Sequence, residues 1–399
     1  MKTKFKYLPQ SFIFLFLLLL ILSPISASAK TQTFLGIDVS KNNGTVNWES
    51  VYEAGYQFAM LKTGDGKDTG NTDDIDPTFE TNYTNAKLAG LECGVYHMIA
   101  GNTVADAKKE ATYCLSIINN RPLDLPIAYD IETTKAFEES ALFQTGKENI
   151  TNMAIAFCET IKDAGYTPMI YTSAYVYNHY LDQSRLTEYK IWVAHHKTAT
   201  PNISLPYHIW QFDTLSVPGA NTSTGECDVN TAVESLTLTK TSYSLGKGEQ
   251  LLLKPTLFTP FQDTSLSFSS SNPKIATISS TGKITAKKVG TTTITIKTLH
   301  HTKATCKITV KKTPSSISFL EKGKRISNKS LTIGQTYQLN YKLSSGSASN
   351  HITFSSNNSK VATVNANGKI VAKKSGTVTI TAKTYNGKTT KLKVTIKKK

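Results

Sequence analysis

The stretch PIAYDIE (126–132) holds the pair of side chains with the clearest chemical potential in the chain, Asp130 and Glu132. They stand two residues apart, so on a strand both project from one face. Mutual repulsion and partial burial raise the pKa of one, leaving a protonated acid beside an ionised base or stabiliser. That is the equipment for glycosidic bond cleavage. One group protonates the leaving oxygen, and the other stabilises or attacks an oxocarbenium-like centre. A lone Asp-x-Glu is often only a solvated strand edge, so the pair takes its meaning from its company. Asp38, Lys62, Tyr96, His97, Tyr129, Tyr171, Trp192, His195, Trp210 and Gln211 all fall at the ends of other apolar runs, and Asp228 and Asn230 close the set. Five of these are aromatic, suited to stacking on the apolar faces of sugar rings. His195-His196 has no HExxH frame and no third ligand in sight, so no metal is expected. There is no phosphate-cradling glycine loop and no G-x-S-x-G elbow, and no cofactor is called for.

The elements that must position these residues alternate from Phe34 to about Asn230. FLGIDVS (34–40), FAMLKTG (58–64), CGVYHMI (93–99), PIAYDIE (126–132) and PMIYTS (168–173) read as strands, each followed by a helical stretch. IWVAHH (191–196) and HIWQFD (208–213) follow with little helix between them. Gly55, Gly90 and Gly165 stand where helices would end. Repeated β-then-α units predict an α/β fold with a parallel sheet closed into a barrel, irregular in its late strands. In such a barrel, functional side chains gather at the C-terminal strand ends.

From about Leu236 the grammar changes to Ser, Thr, Lys, Val and Ile alternating between short turns, the pattern of antiparallel β-sandwiches. Ser267–Thr298 aligns without gaps on Thr353–Thr384, with 20 of 32 positions identical, which marks an internal repeat. The expected domains are a signal peptide at 1–29, a barrel at 30–235 and two sandwiches at 236–312 and 313–399.

Charge divides along the same line. Residues 236–399 carry a net +25, with Glu249, Asp263 and Glu321 their only acids, whereas 1–235 carries −9. The asymmetry suggests chemistry in front and a polyanion partner behind. The alternative is that the lysines merely keep exposed β-edges from pairing. Nucleic acid is not the expected partner, because the tail is β-sandwich with few aromatics and follows an export signal. That signal reads as Lys2, Lys4 and Lys6, an apolar run at 12–22, and Ala27-Ser28-Ala29. No other stretch could span a membrane, and an uncleaved anchor is disfavoured by the shortness of the run. Five cysteines match no zinc spacing and read mostly as buried thiols, with a disulfide in the front region left open. A monomer is expected.

The front region resembles family 25 of the glycoside hydrolases, the Chalaropsis-type lysozymes. The motifs that carry the resemblance are GIDVS (36–40), LKTGDG (61–66), DPTF (76–79), AGLECGVYH (89–97), YDIE (129–132), IYTS (170–173), WVAHH (192–196), WQF (210–212) and DVN (228–230), in the family's order. The resemblance implies an eight-stranded irregular barrel that hydrolyses the β-1,4 bond between N-acetylmuramic acid and N-acetylglucosamine in peptidoglycan. It implies Glu132 as general acid/base, Asp130 as nucleophile or as orienter of the substrate's acetamido group, and Asp38 and Asp228 as further acids of the cleft. Tyr96, Tyr171, Trp192 and Trp210 would be subsite residues. Asp65, where the family usually has Glu, and Cys227 beside Asp228 depart from the pattern. The repeats resemble group 2 bacterial Ig-like domains. The implied whole is an exported muramidase with a tail for anionic wall polymers; the competing reading is a wall-glycan adhesin that does not cut. The barrel is expected to work alone, so that a chain ending near Glu234 would still cleave soluble fragments.

Overall fold

In the computed structural model, which describes residues 30–66, 68, 74–132 and 141–398, the front region is a closed ring of eight strands. They are β1 (Lys30–Val39), β2 (Phe58–Asp65), β3 (Glu92–Met98), β4 (Ile127–Asp130), β5 (Pro168–Ser173), β6 (Lys190–Ala194), β7 (Ile209–Leu215) and β8 (Cys227–Leu238). The expected signal peptide lies outside the described residues. Strands β1 to β7 pair in parallel in chain order. The last strand, β8, closes the ring antiparallel to both β7 and β1. This reversal is the irregularity of the barrel. It brings the start of β8, not its end, to the rim formed by the C-terminal ends of the other strands, with Asp228 opposite Asp38 in register.

Around the ring lie α1 (Trp48–Glu53), α2 (Phe79–Ala89), α3 (Val104–Ile118), α4 (Ala141–Gln144), α5 (Gly146–Asp163) and α6 (Ala174–Tyr180). Gly90 caps α2 in the left-handed region, φ 94°, where a side chain would be strained. Strand alternation sorts the core into two layers. Ile37, Leu61, Val95, Ile127, Ile170 and Val193 face outward and pack under the helices. Phe34, Phe58, Met60, Met169, Trp192 and Ile209 face inward and fill the barrel.

Two sandwiches follow. In the first, a four-stranded sheet built on Gly290–Lys297 and Lys303–Lys311 faces a three-stranded one, and the second repeats the plan on Gly376–Thr384 and Thr389–Lys397. The sequence repeat is also a repeat of register: Ser267 pairs Lys297 as Thr353 pairs Lys383. The expected boundary at 235/236 falls inside β8. Its far end continues into the first sandwich, where Pro255–Phe258 pairs with it and joins the barrel sheet. Between the sandwiches, the buried Glu249 carboxylate accepts the backbone N–H groups of Gly246, Asn350 and His351. All five cysteines are free and buried. Burial pushes the Cys93 and Cys114 thiols up to about 12, which leaves them inert at neutral pH.

Candidate active site

Side chains of alternate residues at the upper strand ends point into the barrel mouth. Asp38 comes from β1, Lys62 from β2, Tyr96 from β3, Asp130 from β4, Tyr171 from β5, Trp192 from β6, Gln211 from β7, and Asp228 and Asn230 from β8. Glu132 stands just past β4 and is half-buried.

Asp38, 7% exposed, is the most tightly held. Its Oδ2 accepts N–H groups from Gln211 at 2.9 Å and Asn230 at 2.8 Å. Both amides are oriented in turn. The Trp192 indole donates to Asn230 Oδ1 at 2.8 Å, and the Tyr171 hydroxyl donates to Gln211 Oε1 at 3.0 Å. Gln211 Oε1 also meets His196 Nε2 at 2.9 Å; an oxygen there only accepts, so His196 presents an N–H. Tyr171 and Trp192 lie 4.3 Å apart between ring centroids, with Tyr96 edge-on to Trp192 at 6.0 Å. Lys62 pairs with Asp65 at 2.7 Å, so the shorter acid at that position still reaches a partner.

Four carboxylates share this mouth, and each is harder to ionise than usual. Burial and the neighbouring Asp228 push Asp38 up to about 8, against the pull of its two amide donors. Burial and Glu132 raise Asp130, and the Lys62 ammonium opposes this. Burial and Asp228 raise Glu132, again against Lys62, and burial raises Asp228. The cluster therefore holds its protons at higher pH than free carboxylic acids would. Asp130 is 3% exposed, and its Oδ1 has no hydrogen-bond partner among the described residues. A buried carboxylate oxygen left open is rare unless a ligand completes it.

Four expected site residues lie elsewhere, and one rule explains the three that stand on strands, His97, Tyr129 and Trp210. Neighbours on a strand point to opposite faces, so only one of each adjacent pair enters the barrel. His97, beside Tyr96, points under the helices, bonded to Thr63 and to the Gly66 carbonyl, and burial lowers its pKa to about 4. Tyr129, beside Asp130, donates to the buried Glu110 and stacks on Phe157 at 4.1 Å. Trp210, beside Gln211, packs with Tyr207 and Phe212, its N–H on the His195 carbonyl. His195 accepts the Asn202 N–H, while His196 takes the position at the rim. Both histidines lie past the end of β6, where the turn and not strand alternation decides which one faces the rim. Glu110 holds the loop after β3 through the N–H groups of Ala100 and Gly101.

A mixed barrel with a mouth of crowded, hard-to-ionise carboxylates and stacked aromatic rings is the arrangement of a glycoside hydrolase. Residues 37–220 are a domain of glycosyl hydrolases family 25, and residues 232–308 and 322–396 are bacterial Ig-like domains of group 2. The autolytic lysozyme of Clostridium acetobutylicum is 28% identical over 189 residues, 47% of this chain and 53% of that protein. Lysozyme M1 of Streptomyces globisporus is 30% identical over 199 residues, 48% of this chain and 64% of that protein. The chain thus spans less than two thirds of the length of these relatives. The solved structure of a bacterial lysozyme from Streptomyces coelicolor is 26% identical, with a TM-score of 0.41, over 50% of this chain and 92% of that one.

Proposed function

We propose that the protein is an exported N-acetylmuramidase that hydrolyses the β-1,4 bond between N-acetylmuramic acid and N-acetylglucosamine in peptidoglycan strands. The observation that carries this reading is the meeting of Asp38, Asp130, Glu132 and Asp228 at one barrel mouth, all raised in pKa. Glu132 is the general acid: burial and Asp228 make its proton harder to lose, and its partial exposure lets a leaving oxygen reach it. Asp130, with one oxygen open, serves the reacting sugar. It attacks the anomeric carbon or accepts the N–H of the 2-acetamido group so that the acetamido oxygen attacks instead. Asp38 and Asp228 are further acids of the cleft, and Asp228 makes the Glu132 proton harder to lose. The relatives named as lysozymes support the substrate class.

The same proposal assigns the tail to retention at an anionic wall. The outward positions of both long hairpins are Lys or Thr throughout: Thr291, Thr293, Thr295 and Lys297 face Thr309, Lys307, Thr305 and Lys303 in register. In the second repeat Thr377, Thr379, Thr381 and Lys383 face Thr395, Lys393, Lys391 and Thr389. The three acids of the tail are engaged elsewhere. Glu249 holds backbone, Glu321 pairs with Lys329, and Asp263 accepts the Ser265 N–H. Among the described residues no helix is long and apolar enough to cross a membrane.

Digestion of purified peptidoglycan, with mass spectrometry of the new reducing ends, tests the activity. Muramic acid at those ends is the expected result. Glucosamine ends, or binding without cleavage, would refute it.

A further inference from the structure

The end of the barrel opposite the carboxylates is closed by the first Ig-like domain. Phe261, 1% exposed, lies in the same apolar layer as Phe58, Tyr171 and Trp192, and meets Phe34 edge-on at 5.0 Å. His300 stacks on Phe261 at 3.6 Å and stands between Glu92 at 3.4 Å and Glu234 at 3.6 Å. The wholly buried Glu234 also accepts the hydroxyls of Thr259 and Thr298. Lys190 donates to the carbonyls of Pro260 and Phe261, and Gln262 to that of Leu125. These partners come from the lower ends of β3, β6 and β8 and the segment before β4.

The layer that Phe261 completes also bears on Asp38. Its upper members, Trp192 and Tyr171, orient the two amides that grip the Asp38 carboxylate. Strand β8 makes the link a second time. It carries Asp228 and Asn230 at the mouth, Ala232 in the interior, Glu234 at the floor, and Leu236 and Leu238 in the core of the Ig-like domain.

We propose that the first Ig-like domain is part of the catalytic unit, and that Phe261 is a positioning residue that sets the Asp38 amide grip through the apolar layer it shares with Trp192 and Tyr171. This rests on the muramidase reading for its activity readout only. A void under that layer lets the rings drop, and sub-ångström displacement at a reacting centre is costly.

The test uses the full chain carrying Phe261→Ala or Phe261→Leu, with soluble glycan oligomers as substrate so that wall binding plays no part. At a temperature where circular dichroism shows all proteins folded, Phe261→Ala should lower kcat about tenfold and leave KM within about twofold. Phe261→Leu, which refills most of the volume, should recover most of the loss. A folded Phe261→Ala protein with wild-type kcat overturns the positioning role. A second arm needs no activity. All three tryptophans, Trp48, Trp192 and Trp210, belong to the barrel, so their fluorescence in urea reports on the barrel alone. Phe261→Ala, a change in the Ig-like domain, should move that midpoint to lower urea; an unmoved midpoint overturns the shared unit. Inactivity of the unmutated protein on every glycan would instead sink the muramidase reading and leave the fluorescence arm to decide the floor.

Discussion

The two ends of the barrel treat buried acids in opposite ways. At the mouth, Asp38, Asp130, Glu132 and Asp228 crowd one another and all are pushed upward in pKa. At the floor, Glu234 is as deeply buried, yet it falls to about 2, because burial is outweighed by the neighbouring His300 and by threonine hydroxyls, with Thr259 and Thr298 donating directly. Residue type is nearly the same; the neighbours differ, since Asp38 faces other carboxylates whereas Glu234 faces a histidine and hydroxyl donors. The mouth keeps strained acids that can exchange protons, and the floor keeps a satisfied one that holds two domains together.

The sharpest way to break this contrast is Glu132→Gln. Loss of a general acid typically costs about 10²–10⁴-fold in turnover, with the melting temperature kept. Near-wild-type lysis by a folded Glu132→Gln protein would remove Glu132 from the chemistry. Next comes the floor. A chain ending after Glu234 uncovers Phe34 and Glu234 and takes away the Lys190 acceptors, so it should lack a cooperative unfolding transition. On sequence alone such a fragment is expected to cleave soluble oligomers; the floor contacts predict that it does not. A chain ending near residue 312 should unfold cooperatively, as calorimetry can show. Within the full chain, Glu234→Ala leaves His300 without one of its two carboxylates. It should destabilise by about 3 kcal/mol, the usual cost of removing one partner of a buried charged pair, read from urea midpoints.

The pH dependences run in different directions. Glu234 stabilises above its unfolded value of 4.5, and this contribution is lost as pH falls through about 2. His300 stabilises below 6.5, and this contribution is lost as pH rises through about 9. The floor is therefore strongest between those unfolded values. Asp38 binds its proton more tightly folded than unfolded, so it erodes stability as pH climbs from 3.8 through about 8. Asp38→Asn keeps an oxygen for both amides. It should raise the melting temperature more at pH 8.5 than at pH 4 while lowering turnover; an equal shift at both would show that Asp38 is not strained. The smallest effect concerns the tail. Sedimentation with whole walls should weaken at about 1 M salt, where the Debye length is about 3 Å. Removal of residues 313–399, which hold 16 of the basic residues, should weaken it at low salt. Equal sedimentation with and without them would make the second Ig-like domain a spacer.

Much of this was legible in the sequence where period-two alternation could be read. Asp130 and Glu132 were placed on one face by spacing alone, and the run of βα units predicted the barrel. His97, Tyr129 and Trp210 have the right type at a strand end, but alternation turns each away from the mouth beside its inward neighbour, and His195 lies past the end of β6. Two features left no local trace. The reversal of β8 depends on how the ring closes, and the sequence around 227–238 alternates equally well in either direction. The docking of Phe261 depends on contacts with residues far away in the chain; locally, Thr-Pro-Phe-Gln-Asp reads as a loop.

The β1–β8 pair has a consequence for how the protein comes into being. Asn230 and Asp38 touch across that pair but lie 192 residues apart in the chain. The strand that joins them is braced by residues made later still, at 255–258. A polypeptide emerging from its N-terminus thus carries Asp38 and Glu132 long before anything can aim them, and long-range closure of this kind is a late event in folding. On the proposed function, the half-made chain would be chemically silent until the ring shuts.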